Sequence, residues 1–350
     1  MGNETSRRII DGDGHIVEDN LELFEYLPPP YSGRRSILAT PFFPTGDGFQ
    51  RLARRVAGDA RKERETPKIT EWKEFLDQGE VSVAVLYPTA GLNFGFIQND
   101  DWAVAIAQAY NDWLYDRYLK VDSRLRGIAL IPLQVPELAA KELRRAVTDL
   151  GMVGALLPAV GLWEAYGHKS FWPVYEAAQE LNCLLGVHGG STRNLGLERL
   201  HTLVEARTLS HGLSQMIQMT SMMFAGVFDA FPKLRVAFCE AGVGWASYLV
   251  ERMDMEFKNR RLQCPGLKIS PSEHLQSGQI FISTEMPEKG LPNAVSIISD
   301  NGIFCATDFP HEPRHEFLEN MEAFETRQDI SEVTKQKILW DNPLRMYALE

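Results

Sequence analysis

The sequence predicts an α/β fold, a distorted (β/α)8 TIM barrel formed as a single domain over residues 1–350. Three observations predict it. Eight short runs of β-branched and aliphatic residues are continuous rather than alternating, as strands covered on both faces require. Segments of helical period separate most of them, the pattern of repeated βα units around a parallel sheet. Each run also stops at a residue that binds metals or turns the chain, and a barrel of this kind gathers its chemistry where its strands end.

The first run, Arg8-Ile9-Ile10, leads into Asp11-Gly12-Asp13-Gly14-His15. Residues 16–80 then depart from the simple repeat and predict an inserted cap over the barrel mouth. Helical character at 21–27 ends at Pro28-Pro29-Pro30, and Pro41, Pro44, Gly46 and Gly48 follow. A basic helix-like stretch at 51–64 and an amphipathic segment at 69–75 complete the insertion. Segments this long in a compact domain tend to carry function. The second run, 81–86, ends at Tyr87-Pro88. A long helix is expected over 98–118, where Trp102, Val104, Ile106, Tyr110 and Trp113 have core-like spacing. The third run, 127–131, ends at Pro132 and precedes a helix at 136–150 that Gly151 terminates. The fourth, 153–157, ends at Pro158, and a helix at 171–181 leads to the fifth, 183–187, which ends at His188. Residues 199–228 are apolar, and the stripe of Met216, Met219, Met222 and Met223 reads as core. The sixth run (235–239) ends at Glu240, the seventh (279–283) near Glu285 and the eighth (303–307) at Asp308. Helices are expected at 246–258 and 291–299. Residues 321–349 close the barrel, with Asn342-Pro343 expected to break a helix.

Hydrophobic residues make up 44% of the chain, enough for one large core, and the net charge is −11. That acidity argues against a general nucleic-acid or anionic-membrane surface. No run approaches the ~20 apolar residues of a membrane span, and no apolar secretory signal is visible at the start. Gly2 followed by Ser6 matches a loose acylation pattern, taken as coincidence. Cys183, Cys239 and Cys305 fall inside expected strands as small core hydrophobes, and Cys264 lies in a loop. A cytoplasmic, reducing compartment is expected.

Asp13 and His15 stand two residues apart, so on a strand both face the barrel mouth. His188 precedes Gly189-Gly190 at the rim, Glu240 precedes Ala241-Gly242, and Asp308 precedes Phe309-Pro310-His311. A carboxylate at the end of a buried strand is costly unless a cation, a hydrogen-bond donor or water meets it. These nitrogen and oxygen donors, with no thiolate, suit one divalent ion: zinc first, with manganese or iron as alternatives.

The chain resembles the amidohydrolase superfamily, in the branch of aminocarboxymuconate-semialdehyde decarboxylase and the dihydroxybenzoate-type decarboxylases. The resemblance runs over nearly the whole chain. It rests on Ile10-Asp11-Gly12-Asp13-Gly14-His15, on the segment from Arg126 to Gln134, on the segment from Gly226 to Val236, and on Glu240-Ala241-Gly242-Val243-Gly244-Trp245. Ala306-Thr307-Asp308-Phe309-Pro310-His311 and the tail Asn342-Pro343-Leu344-Arg345 complete it. The resemblance implies that Asp13, His15 and His188 hold the metal, and that Asp308 both holds metal and moves protons. Glu240 departs from it, because the studied decarboxylases carry histidine there; a glutamate can serve as a further ligand or as a base.

His211 is a candidate catalytic or substrate-binding residue from the segment after the fifth strand. Arg193 is a candidate for holding a substrate carboxylate, His311 for orienting the Asp308 loop, and Glu285 for a hydrogen-bonding scaffold. His168, His201, His274 and His315 read as ordinary loop or helix residues. The first expectation for function is a metal-dependent hydrolase of a small carbonyl compound, with Asp308 moving the proton of metal-activated water and Glu240 holding that water. The alternatives are a non-oxidative decarboxylase of an aromatic or unsaturated acid, a hydratase, and a non-catalytic binding barrel. A homodimer is expected, with a small molecule as partner.

Overall fold

A computed structural model describes residues 8–49 and 67–349; the basic stretch at 51–64 lies outside the described residues. Eight strands run parallel in sequence order: β1 (Ile9–Ile16), β2 (Val81–Pro88), β3 (Leu125–Ala129), β4 (Gly154–Pro158), β5 (Leu184–His188), β6 (Arg235–Cys239), β7 (Ile280–Thr284) and β8 (Ile303–Cys305). Nearly every strand residue is buried, which is why the runs read as continuous rather than alternating. Helices return the chain outside the sheet, among them Asp100–Leu114, Pro136–Thr148, Trp172–Glu180, Leu203–Phe224 and Gly244–Asn259. The eight strands and their helices form the expected (β/α)8 barrel.

The seam between β1 and β8 is made differently from the others. No regular ladder joins the two among the described residues; side chains and loop backbone close the gap. Asp11, wholly buried on β1, accepts hydrogen bonds from the Thr307 amide (2.9 Å), the Thr307 hydroxyl (2.7 Å) and the Asp13 amide (3.2 Å). The Asp308 amide donates to the Asp13 carbonyl (3.1 Å), and the His15 amide to the Phe309 carbonyl (2.7 Å). These bonds explain two differences from expectation. β1 continues through the whole Asp11–His15 motif, with an irregularity against β2 between Asp11 and Gly14, and β8 stops at Cys305 because Ala306, Thr307 and Asp308 leave the ladder to meet β1.

Other boundaries shift for local reasons. β3 sits two residues earlier than expected, and Asn111 continues its edge: its amide nitrogen donates to the Leu130 carbonyl and its oxygen accepts from the Leu130 amide. The expected 98–118 helix is Asp100–Leu114 followed by a π-turn, Tyr115–Leu119. Asn342-Pro343 does not break the tail. Pro343 stands in the first turn of Asn342–Met346, where its missing N–H costs nothing, directly after a π-turn at Lys337–Asp341.

Part of the 16–80 insertion clasps the barrel. Trp72 of the helix Ile69–Gln78 packs on Gly14, where a Cβ would meet the indole at 2.6 Å. Phe75 stacks on Phe309 in the β8 loop at 4.2 Å.

Candidate metal centre

On β1 the side chains of Asp13 and His15 share one face, and both are buried. The His15 Nδ1 lies 2.9 Å from the Pro88 carbonyl, and the His188 Nδ1 bonds the Gly189 carbonyl. A carbonyl only accepts, so each Nδ1 carries hydrogen and each Nε2 is turned into the mouth. This is the arrangement by which second-sphere bonds orient metal-binding imidazoles.

Three carboxylates converge on those nitrogens. His15 Nε2 is 3.5 Å from Asp13 Oδ1 and 3.5 Å from Asp308 Oδ1. His188 Nε2 is 3.3 Å from Asp13 Oδ2 and 3.5 Å from Glu240 Oε2. Donor atoms bound about 2.0–2.2 Å from a single ion lie roughly 3–3.5 Å from one another. Asp13 Oδ1 and His188 Nε2 are moreover buried with no hydrogen-bond partner, a costly state unless something else satisfies them. Asp13, His15 and His188 form one cluster of candidate ligands; His15, Glu240, Asp308 and His311 form a second that shares His15. The residues present fit a divalent cation.

Glu240 and Asp308 reach the centre on left-handed backbone, with φ of 56° and 51°. Non-glycine residues rarely adopt that conformation, and it costs about 1–3 kcal/mol where it persists. Here each is fixed by its neighbours: the Glu240 amide donates to Ser283 Oγ (2.9 Å) and the Asp308 amide to the Asp13 carbonyl. The turn of the chain aims both carboxylates inward from the ends of β6 and β8.

The charges divide unevenly. Burial pushes the Glu240 carboxyl up, but His211, His188, His311 and Arg207 together overcome it and hold it down at about 2. Burial, with the charges of Glu240 and Asp13, pushes Asp308 well above the carboxylate range. Asp13 is also raised by burial. Burial pulls His188 down, yet the Asp13 carboxylate beside it, Glu240 and the Gly189 carbonyl lift it to about 9. Without a cation, therefore, Glu240 is the anion and Asp308 holds a proton.

The remaining sequence candidates separate clearly. His211, on the helix Leu203–Phe224, comes to 3.6 Å from Glu240 Oε1, and Gly189 makes room for it: a Cβ there would lie 2.8 Å from the imidazole. His311 bonds Asp308 Oδ1 (2.7 Å) through Nδ1 and Thr89 Oγ1 (2.9 Å) through Nε2, and stacks on His15 at 4.1 Å. It holds the Asp308 carboxyl in place. Arg193 is not brought to the donors; its guanidinium lies over the Phe96 ring at 5.0 Å and lines a neighbouring cavity. Glu285 stands at the lip, and the scaffold carboxylate is Glu288, which accepts from the Val243 and Gly244 amides and Thr284 Oγ1. His274 lies on a helix, Pro271–Gln276, and is buried against Asp229.

Sequence reasoning missed Arg207. Its Nη2 lies 3.3 Å from Glu240 Oε1, one helical turn before His211. The i, i+4 spacing with His211 was the available signal. Two cavities meet at Glu240: one of about 680 Å³ reaching Thr45, Gly46 and Phe49 of the insertion, and one of about 600 Å³ towards Glu312 and Asn320. Another cavity, lined by Phe42, Phe43, Trp113 and Tyr118, touches none of these donors.

A parallel barrel with imidazoles and carboxylates gathered at the ends of β1, β5, β6 and β8 defines a class, the metal-dependent barrel enzymes. Within it, the chain belongs to the amidohydrolase family, whose sequence profile matches residues 10–349. It is 24% identical over 277 residues to 2-amino-3-carboxymuconate-6-semialdehyde decarboxylase of Dictyostelium discoideum, covering 79% of this chain and 75% of that one. It is 26% identical over 255 residues to gamma-resorcylate decarboxylase of Polaromonas sp., covering 69% and 76%. A solved 5-carboxyvanillate decarboxylase of Novosphingobium aromaticivorans, complexed with manganese and 4-hydroxy-3-methoxy-5-nitrobenzoic acid, superposes with a TM-score of 0.76 at 18% identity over 99% of this chain and 98% of that one. That last likeness bears on the fold.

Proposed function

We propose that the protein is a metal-dependent carbon–carbon lyase that removes a carboxylate from a small aromatic or unsaturated acid as CO2, without an oxidant. The observation that carries this reading is the placement of the Asp308 carboxyl, held by His311 at 2.7 Å and 3.5 Å from His15 Nε2, a positioned group of the kind that carbon protonation requires. The named decarboxylases among its relatives support it and move hydrolysis, the first expectation from sequence, to second place.

Asp13, His15, His188, Asp308 and Glu240 would hold the ion, which when bound would polarise the oxygen substituents of the substrate. Asp308 gives its proton to the carbon that bears the carboxylate. The bond from that carbon to the carboxylate then breaks, its electron pair restores the π system, and CO2 leaves. His311 keeps the Asp308 carboxyl aimed throughout. His211 supplies the imidazole that the sixth strand lacks. Hydrolysis keeps one observation in its favour: the ionised Glu240 beside His188 also suits a base that orients water. Manganese and zinc are the first ions to test, and a cytoplasmic homodimer completes the reading, with light scattering as its check.

The deciding experiment loads the purified protein with either ion and screens aromatic acids, lactones and amides, with and without chelator. In D2O a lyase releases CO2 and places one deuterium on the carbon that lost the carboxylate. Turnover confined to lactones or amides would reverse the order of the two readings.

A further inference from the structure

Glu18 closes the first-strand motif, yet the proposed chemistry does not use it. It stands just past the end of β1, and its carboxylate accepts from three consecutive amides of the turn after β2: Thr89 (3.2 Å), Ala90 (2.9 Å) and Gly91 (2.8 Å). That turn opens the short 3-10 helix Ala90–Phe96, whose N-cap is Thr89. A threonine in that place ordinarily caps the helix with its own hydroxyl. Here it makes no such bond. Glu18 meets the amides instead, and the Thr89 hydroxyl is turned towards the metal donors.

There it meets His311. Thr89 Oγ1 lies 2.9 Å from His311 Nε2, and His311 Nδ1 lies 2.7 Å from Asp308 Oδ1. The His311 ring also stacks on His15, with centroids 4.1 Å apart. Stacking fixes the plane of the ring but not its angle within that plane. Bonds at both nitrogens fix the angle. A hydroxyl donates and accepts, so Thr89 matches the imidazole in either tautomer; valine, of nearly the same shape, matches neither. Glu18 itself lines the cavity of Phe42 and Trp113 and neither of the cavities at Glu240, so it can act on the centre only through the turn.

We infer that Glu18 and Thr89 are positioning residues for Asp308. Glu18 caps the β2 turn so that the Thr89 hydroxyl holds His311, and His311 holds the carboxyl against the metal donors. One strand and its exit then carry both the ligands Asp13 and His15 and the residue that sets the acid opposite them. This rests on the reading of Asp308 as the group that gives the proton, and it names what keeps that group in place.

The test reads the metal centre directly, so it stands apart from turnover. Thr89→Val and Thr89→Ala remove the hydroxyl, Thr89→Ser keeps it, and Glu18→Gln weakens the cap. Each is compared with wild type for cobalt(II) affinity, for the visible absorption of the bound cobalt, and for melting temperature without metal. The variants lacking the hydroxyl should bind cobalt ~10-fold more weakly, the usual weight of an outer partner of a metal ligand, and with an altered spectrum. Thr89→Ser should restore both, and Glu18→Gln should shift the spectrum in the same direction as Thr89→Val. His311→Asn keeps a polar group near the Nδ1 position and lacks Nε2, so on that background Thr89→Val should add no further loss. A lowered melting temperature with wild-type cobalt affinity and spectrum means that the two residues only support the turn, and overturns the assignment. A full additional loss in the double variant overturns it as well. If the cobalt results hold but no acid releases CO2, the positioning arm stands and the lyase reading falls. If CO2 is released while the variants lacking the hydroxyl bind cobalt as wild type does, the arm alone falls.

Discussion

At the scale of single residues, the centre depends on two carboxylates of opposite protonation. Glu240 is kept ionised by the cations and imidazoles around it, and Asp308 is kept protonated by burial beside Glu240 and Asp13. Asp308→Asn retains the shape and the His311 contact but removes the transferable proton. Turnover on whichever substrate the screen yields should fall by at least ~100-fold, the usual weight of one general acid, with the fold intact by circular dichroism. Glu240→Gln and His211→Asn then separate the two chemistries. A lyase should lose more with His211→Asn, and a hydrolase more with Glu240→Gln, when kcat is compared at equal metal content. Indifference to both would leave Asp308 working alone. Most of these donors were legible because a residue that ends a buried strand has one place to go, the barrel mouth. Arg207 was not, because it sits inside an apolar, methionine-rich helix whose facing direction is set only when that helix docks.

At the scale of elements, the barrel closes through the buried Asp11 side chain and two loop backbone bonds where a ladder would ordinarily run. The first apolar run in the sequence ends at Ile10, ahead of Asp11, since an acid followed by glycine interrupts the apolar pattern. The strand continues because Thr307 and the Asp13 amide supply three donors to that acid. Removing the acceptor strands all three in the core, where each unsatisfied group costs about 1–3 kcal/mol. Asp11→Ala should therefore lower unfolding free energy by several kcal/mol, on the order of 3–5, and speed amide exchange at Thr307 and Asp13. Asp11→Asn keeps an accepting oxygen and should cost less. If both variants melt with wild type, the seam is held by something other than Asp11. The early placement of β3 has a similar origin: Asn111 imitates a strand edge for Leu130, and nothing in the run 127–131 announces a partner nineteen residues upstream.

For the whole molecule, the metal centre couples folding to pH, and His188 sets the sign. Burial would pull its pKa down, but Asp13 on β1, Glu240 at the end of β6 and the Gly189 carbonyl lift it to about 9 in the folded protein, against 6.5 for the free side chain. A group raised on folding adds stability that is complete below about 6.5 and is lost as pH climbs through about 9. The metal-free protein therefore gives up His188's contribution across that window. A bound cation needs the same nitrogen without its proton, so metal binding strengthens over the range in which the metal-free form weakens. Asp13, raised by burial and by the charge of Glu240, also releases a proton to a cation and acts in the same direction. The difference in melting temperature between metal-loaded and metal-free protein should widen from pH 6.5 to pH 9. Metal affinity should rise over that interval by roughly 100-fold on account of His188 alone, at tenfold for each pH step the proton competes. Calorimetry in buffers of different ionisation enthalpy should register at least one proton released per ion bound near pH 7. A pH-independent melting difference, or binding with no proton released, would mean that the ion does not displace the His188 proton and sits somewhere other than between β1 and β5.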